Sequence, residues 1–487
     1  MSGGATAADL ADVSAVALLA AYRSGEVSPV EVAAAVLERV EQCEPTIRAL
    51  YALDADAVRR AARDSEGRWR AGAPVGPLDG VPITLKENIA TRGTPVPVGT
   101  AATERVPAAA DAPPAARVRE AGAVLVAKTT MPDWGMLSSG LSSFHPLTRN
   151  PWNPRWNPGG SSAGAAAAAA AGYGPLHVGT DIGGSLRLPA AWNAIVTLKP
   201  SFGRVPVSPP YWGRVAGPMT RTVGDAALLT SVLAGPDPRD YTSLPFEALD
   251  WSSVPAEVAG MRVGYLREAG CGLPVDAEIA ASVAAAAAAF EQAGAVVEPV
   301  PPFFTRELLD DLDLFWRVRS WVDFRALSPE RQAAVLPYIA DWCRGGADVS
   351  GEVVLRCANS MLSIAAVTVA ATAGFDVVLS PVSPVSTFPA EWPSPTNDVR
   401  RPLDHIGFTA PYNMSGQPAS SVNCGFTTDG RAIGLQIAGP RFGDVGVLRV
   451  TAWYEQARPA SAVRPWPRVD PNWSAQTAAT AAAGDAP

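Results

Sequence analysis

The chemistry of this chain concentrates where serine and glycine cluster. Pro158-Gly159-Gly160-Ser161-Ser162-Ala163-Gly164 leads straight into a run of alanine at 165–171. Two hydroxyls therefore stand at the entry of a strong helix former, where unpaired N–H groups and partial positive charge collect. Further on, Gly179-Thr180-Asp181-Ile182-Gly183-Gly184-Ser185 puts another serine behind two glycines, after an expected strand at 175–180. Glycines permit a turn tight enough for consecutive N–H groups to converge on one point. A serine nucleophile needs such donors, because the oxyanion it creates must be held by groups already in place. It also needs a base. The chain has three histidines (His145, His177, His405) and three lysines (Lys86, Lys128, Lys199), against 36 arginines. Where arginine serves the surface, a retained lysine is a candidate for what arginine cannot do, which is to lose its proton at accessible pH.

Rival readings of the same residues fail on context. Neither GxxxxGK[ST] nor GxGxxG fits the glycines, so they are not a phosphate loop. Gly160-Ser161-Ser162-Ala163-Gly164 does match G-x-S-x-G, with Ser162 as nucleophile and His405 as a late base. That elbow must follow a strand. Pro151, Pro154 and Pro158 precede it within nine residues, and such a segment cannot be a central strand.

The composition excludes several function classes. The chain has 487 residues, 48% hydrophobic and 18% charged, which suits a large folded core and not a disordered chain. Acidic residues outnumber Lys plus Arg by 47 to 39, for a net charge of −8. That balance argues against a nucleic-acid partner or an anionic membrane surface. The longest apolar stretch, 363–374, is shorter than the ~18 residues a spanning helix needs. The start, MSGGATAADLADV, has no basic n-region or h-region of a secretory signal. Cys43, Cys271, Cys343, Cys357 and Cys424 are odd in number, far apart and without CxxC spacing. They read as reduced cytoplasmic thiols. With HExxH absent as well, no metal site is expected.

Elements must position these residues. Helices are expected at 7–22, at 28–43 behind the capping box Ser28-Pro29-Val30-Glu31, and at 54–72. Short β-branched runs follow at 81–85, ending at Lys86, at 123–127, ending at Lys128, and at 175–180. Helical segments at 117–121 and 222–234 alternate with them. Further strands are expected at 261–266, 295–300 and 376–380, with a helix at 276–293. A late hairpin joins 419–424 to 432–438 across Thr427-Thr428-Asp429-Gly430. The proline-rich segment 381–402 reads as an ordered loop or lid. Alternation of this kind predicts an α/β protein.

The motifs together resemble the amidase signature family of serine amide hydrolases. Gly159-Gly160-Ser161-Ser162 with its alanine helix, and Gly179 through Ser185-Leu186-Arg187, resemble the family's Gly/Ser-rich signature. Leu78-Asp79-Gly80-Val81-Pro82-Ile83-Thr84-Leu85-Lys86-Glu87-Asn88-Ile89 resembles its lysine segment. Phe408-Thr409-Ala410-Pro411-Tyr412-Asn413-Met414-Ser415-Gly416-Gln417-Pro418-Ala419, with Gly434-Leu435-Gln436-Ile437, resembles its C-terminal block. The likeness spans about residues 8–460. It implies one large domain over 1–473, with a mixed, mostly parallel, twisted central sheet covered on both faces by helices. Within it, 1–75 would be the helical N-terminal part, 76–235 the catalytic core and 236–473 the remaining sheet and pocket cover, leaving 474–487 as a flexible tail.

By the same resemblance, Ser185 matches the nucleophile, Ser161 the bridging serine of a cis peptide, and Lys86 the terminal base. The N–H groups of Ile182, Gly183, Gly184 and Ser185 match the oxyanion hole. Ser162 and Asp181 are expected to support the site, with Ser162 bonding near the helix start. Lys128 and Lys199 read as structural. Ala163 and Ala165, Glu87 and Trp192-Asn193-Ala194 depart from the family's usual residues, which bears on pocket shape and not on the triad. No cofactor is implied. The expected partner is a small-molecule amide, with a homodimer as the candidate assembly.

Three functions compete. The first is a stand-alone amidase. The second is the glutaminase component (the A chain) of a glutamyl-tRNA amidotransferase complex, and those components carry an Asp three residues before the Thr of the F-T-x-P block. Here Ile406 stands there, with Asp404 close by. The third, an inactive binding module, is opposed by the complete triad. Trp134, Met136, Leu188 and Ile406, with Met131, Trp192 and Trp212, suggest an apolar pocket without fixed charge, suited to hydrophobic or aryl amides over glutamine.

Overall fold

The computed structural model describes residues 10–473. The tail expected at 474–487 and the start of the first expected helix lie outside the described residues. The N-terminal helices begin where their caps dictate. Ser14 caps Ala15–Ser24, and Asp54 caps Ala55–Arg70. Ser28 and Glu31 form the reciprocal capping box of Pro29–Ile47. That helix runs past Pro45 to Arg48, whose left-handed backbone ends it.

Behind these helices lies one eleven-stranded sheet, with strands in the order β1-β3-β2-β4-β6-β5-β10-β11-β9-β7-β8. In chain order they are β1 (Leu50–Tyr51), β2 (Pro82–Lys86), β3 (Val124–Thr129), β4 (Leu176–Asp181), β5 (Val196–Lys199) and β6 (Val215–Thr220). The second half adds β7 (Arg262–Tyr265), β8 (Val296–Pro299), β9 (Val377–Pro381), β10 (Ala419–Phe426) and β11 (Ala432–Ala438). The architecture is α/β with helices flanking a mixed sheet, but the sheet is not mostly parallel. Parallel pairing is confined to two places: β2 with β3 and β4, and β7 with β8 and β9. Every pairing from β4 across to β9 is antiparallel. The cause lies in the connections. Helices Pro113–Glu120 and Ala277–Gln292 carry the chain between parallel neighbours, whereas β10 and β11 are joined by a tight turn that can only reverse it.

Strand β6 could not be anticipated, because its sequence contains Gly217 and Pro218. It is tolerated because β5 pairs only with Met219 and Thr220, so no ladder bond to β5 is asked of Pro218. Helix Gly351–Thr372 is likewise longer than the apolar stretch suggested. By length and composition it could cross a membrane. It packs Cys357, Met361, Ile364, Thr368 and Thr372 inward, and Arg356 and Ser360 bond Asp311 on helix Arg306–Arg325.

The helix Ala163–Ala171 matters most for the site. All of its residues are buried. Alanine lets it approach the strands closely, and it packs on β4 and β2. Gly164 marks the tightest point, where a Cβ would lie 2.3 Å from Ala49 O and 2.4 Å from Thr130 N. These are backbone atoms and cannot step aside. Gly164→Ala is therefore expected to destabilise the protein by about 1–3 kcal/mol, the usual cost of overpacking, read as a lowered midpoint in thermal denaturation.

Candidate active site

Strands β2 and β4 are parallel neighbours, with Leu85 opposite Val178. Their C-terminal ends therefore open on one edge of the sheet, and Lys86 and Asp181 are the last residues of each. The loop entering helix Ala163–Ala171 reaches the same edge. Its Gly160–Ser161 peptide is cis. Lys86 Nζ lies 2.8 Å from Ser161 Oγ, 3.1 Å from Ser162 Oγ and 3.1 Å from Thr180 Oγ1.

The amine is buried, and its three partners are all hydroxyls. Burial disfavours its charged form, which lowers its pKa to about 7; the fields of Asp181 and Glu87 oppose this and Arg214 adds to it. A neutral amine has two N–H bonds and one lone pair, so one hydroxyl must donate to it. Ser162 Oγ spends its proton on Thr180 O at 3.1 Å. That leaves Ser161 and Thr180 to point a proton at the nitrogen. Ser162 stands at the N-cap position without a side-chain cap bond. It also accepts from Thr180 N at 3.2 Å, so it ties the helix entry to β4.

Ser185 stands on the tight turn after β4 and lines a pocket with Ile182, Gly183 and Leu188. Among the described residues no hydrogen bond joins its hydroxyl to that of Ser161. Catalytic hydrogen bonds often close only when substrate is bound. Gly184 adopts φ +132°, and a Cβ there would meet Thr409 Oγ1 at 2.6 Å, so the turn requires glycine. One of the four expected oxyanion donors is not available. Gly184 N–H donates to Asp181 Oδ1 at 2.8 Å, because the turn folds it back onto that carboxylate. The N–H groups of Ile182, Gly183 and Ser185 have no such partner among the described residues.

Asp181 is the hub under this turn. It accepts from Gly184 N, Leu186 N, Arg187 and Asn413 Nδ2. Burial pushes its pKa up, but the Arg187 guanidinium and these hydrogen bonds outweigh burial and hold it at about 2. Arg187, wholly buried, also donates to Thr409 O, Gln436 Oε1 and Asn413 Oδ1. These supports were not singled out from sequence. The signal was present, since Arg187, Thr409, Asn413 and Gln436 all sit inside the three motifs.

The other two lysines have partners of their own. Lys128 bonds Ile89 O and Thr91 Oγ1, and Lys199 bonds Pro200 O at 2.9 Å. His145 pairs with Glu87, and His177 bonds Thr84 and Gly174. His405 is buried with both ring nitrogens unpartnered, and burial lowers its pKa to about 3. The five cysteines are free thiols, and no metal-holding cluster exists among the described residues.

Trp134, Met136, Leu188 and Ile406 line the pocket beside Ser185. Met131 is instead buried under Gly135, Trp192 packs edge-on against Phe388, and Trp212 faces a separate cleft beside helix Gly351–Thr372. The expectation of a pocket without fixed charge is corrected: Arg214 and Arg319 also line it. They come from distant segments whose placement no local pattern gives. Segment 381–402 is ordered, held to the signature loop through Asn157 N to Phe388 O and Thr387 Oγ1 to Asn157 O.

Asn413 serves both partners of the Asp181–Arg187 pair, so Asn413→Ala is expected to cost about 1–3 kcal/mol of stability. Thermal denaturation against the parent chain checks this.

Comparison with known proteins gives the family. The amidase family pattern matches residues 31–448. An acylamidase of Rhodococcus erythropolis is 34% identical over 466 residues, covering 93% of this chain and 96% of that protein. The A component of the glutamyl-tRNA(Gln) amidotransferase of Synechococcus sp. (strain CC9605) is 34% identical over 484 residues, covering 91% and 96%. Among solved structures, a bacterial aryl acylamidase of the amidase signature family superposes with TM-score 0.84 at 30% identity, covering 93% of this chain and 99% of that one. A 6-aminohexanoate cyclic dimer hydrolase gives TM-score 0.84 at 29% identity, covering 94% and 99%. Motifs, fold and relatives converge, and the chain belongs to the amidase signature family of amide-hydrolysing enzymes.

Proposed function

We propose that the protein is a stand-alone serine amidase that cleaves apolar or aryl amides through an acyl-enzyme on Ser185. The observation that carries this is the buried Lys86 amine at 2.8 Å from Ser161 Oγ, with hydroxyls as its hydrogen-bond partners. Neutral Lys86 takes the Ser161 proton as Ser161 takes that of Ser185, and Ser185 attacks the amide carbon. The N–H groups of Ile182, Gly183 and Ser185 hold the oxyanion. The relay then returns the proton to the leaving nitrogen, without which an amide anion would have to depart. Water hydrolyses the ester by the same route.

The amidotransferase reading fits less well. Ile406 in the pocket offers nothing to a substrate ammonium. The nearby Asp404 is already engaged by Arg306 at 2.8 Å and Arg401 at 2.6 Å. Among the described residues no carboxylate lines the pocket to pair glutamine's ammonium. The acylamidase relatives support the apolar acyl or aryl reading.

Ser185→Ala, Lys86→Ala and Ser161→Ala are each expected to lower kcat/KM by about 10⁴-fold or more, with double variants no worse than singles, because the three act as one unit. Near-normal turnover in any of them contradicts the assignment. Against pH, kcat/KM should rise through about 7 as Lys86 loses its proton, and then level. His405→Ala should keep that limb. An anilide should outperform glutamine on the purified chain, and the reverse would favour the amidotransferase reading.

A further inference from the structure

Arg214 and Arg319 approach the pocket from opposite sides in sequence. Arg214 directly precedes β6, and Arg319 lies on helix Arg306–Arg325. They flank one aromatic ring, with the Arg214 guanidinium 5.2 Å and the Arg319 guanidinium 4.8 Å from the centroid of Tyr211. Burial lowers the pKa of Arg214, and repulsion from Arg319 lowers it further, so the two charges feel each other.

Neither has a carboxylate partner among the described residues. Arg214 donates only to Pro209 O at 3.4 Å. Arg319 reaches Met136 Sδ at 3.5 Å, and its Nε is buried without a partner. Their neighbours show that partners are normally supplied. Arg317, on the same helix, holds Asp313 at 2.6 Å, and Arg356 holds Asp311 at 2.6 Å. Among the described residues no acidic side chain lines the pocket. Trp316 lines it too, and its indole N–H is buried and unpartnered. Two half-buried guanidiniums therefore line a mainly apolar cavity that also contains the Ser185 turn. Like charges in such a place repel each other and are partly desolvated, and an anion relieves both. A carboxylate matches the planar guanidinium fork.

We propose that Arg214 and Arg319 form a carboxylate subsite, so that the preferred substrate is an apolar amide carrying a carboxylate away from the scissile bond. The inference rests on the amidase reading for the role of the pocket. It narrows the substrate class to one that an uncharged anilide only partly represents.

The test uses two matched pairs: butyranilide against succinanilate, with the carboxylate on the acyl side, and acetanilide against 4-acetamidobenzoate, with it on the leaving side. Calorimetric binding to the full-length Ser185→Ala chain separates recognition from turnover. At least one carboxylate member should bind about tenfold or more tightly than its neutral partner, and the wild-type chain should show the same preference in kcat/KM, carried by KM. Arg214→Met and Arg319→Met, checked for folding by circular dichroism, should bring that ratio to near one. Neutral members that bind as well as the charged ones in both pairs overturn the inference, and their continued hydrolysis would leave the amidase reading standing. Carboxylate preference in binding without hydrolysis of any of the four would do the opposite.

Discussion

The rest of the site depends on one constraint: an amine buried where water cannot solvate its charge and no anion touches it. Lys86 meets that condition at the end of β2, surrounded by the hydroxyls of Ser161, Ser162 and Thr180. A carboxylate in place of any of those hydroxyls would hold the proton on the nitrogen. Asp181, the anion that acts most strongly on the amine, is one strand away and is paired with Arg187. The fold thus keeps negative charge close enough to anchor the Ser185 turn while burial still lowers the pKa of Lys86.

That separation makes the two ends of the chain interdependent. The candidate catalytic side chains lie between residues 86 and 185, yet the turn that carries Ser185 is held from the C-terminal block. Asn413 bonds Asp181 and Arg187, Gln436 bonds Arg187, and Thr409 Oγ1 donates to Gly183 O at 2.6 Å. The antiparallel middle of the sheet makes this possible, because it sets β10 beside β5 and β11 beside β10, and so brings Gln436 to Arg187. A buried ion pair adds little stability by itself, but it fixes geometry when every donor and acceptor is matched.

Much of this was legible in the residues. The scarcity of lysine drew attention to three positions, and all three lysines are buried. The capping box at Ser28 marked a helix start and the apolar runs ending at Lys86 and Lys128 marked strands, whereas the cap at Ser14 was missed and the helix expected at 7–22 starts at Ala15. The failures have physical causes. Gly217-Pro218 hid β6, since whether proline fits a strand depends on which neighbour needs its missing N–H. Sheet direction is set by long-range connections and not by strand composition. Gly184 looked like an oxyanion donor because the motif does not show which way its N–H points. Arg214 and Arg319 were invisible among 36 arginines, because only the fold reveals which ones lack a carboxylate.

The central claim is that Lys86 is largely neutral at working pH, and this chain permits a direct measurement. With only three lysines, selective ¹³C labelling of the lysine ε-carbons gives a three-signal NMR titration. Lys86→Met, Lys128→Met and Lys199→Met assign each signal by its disappearance. The Lys86 signal is expected to titrate near pH 7 in the folded protein. A Lys86 signal that stays protonated until about pH 10, where an ordinary lysine titrates, would contradict the claim.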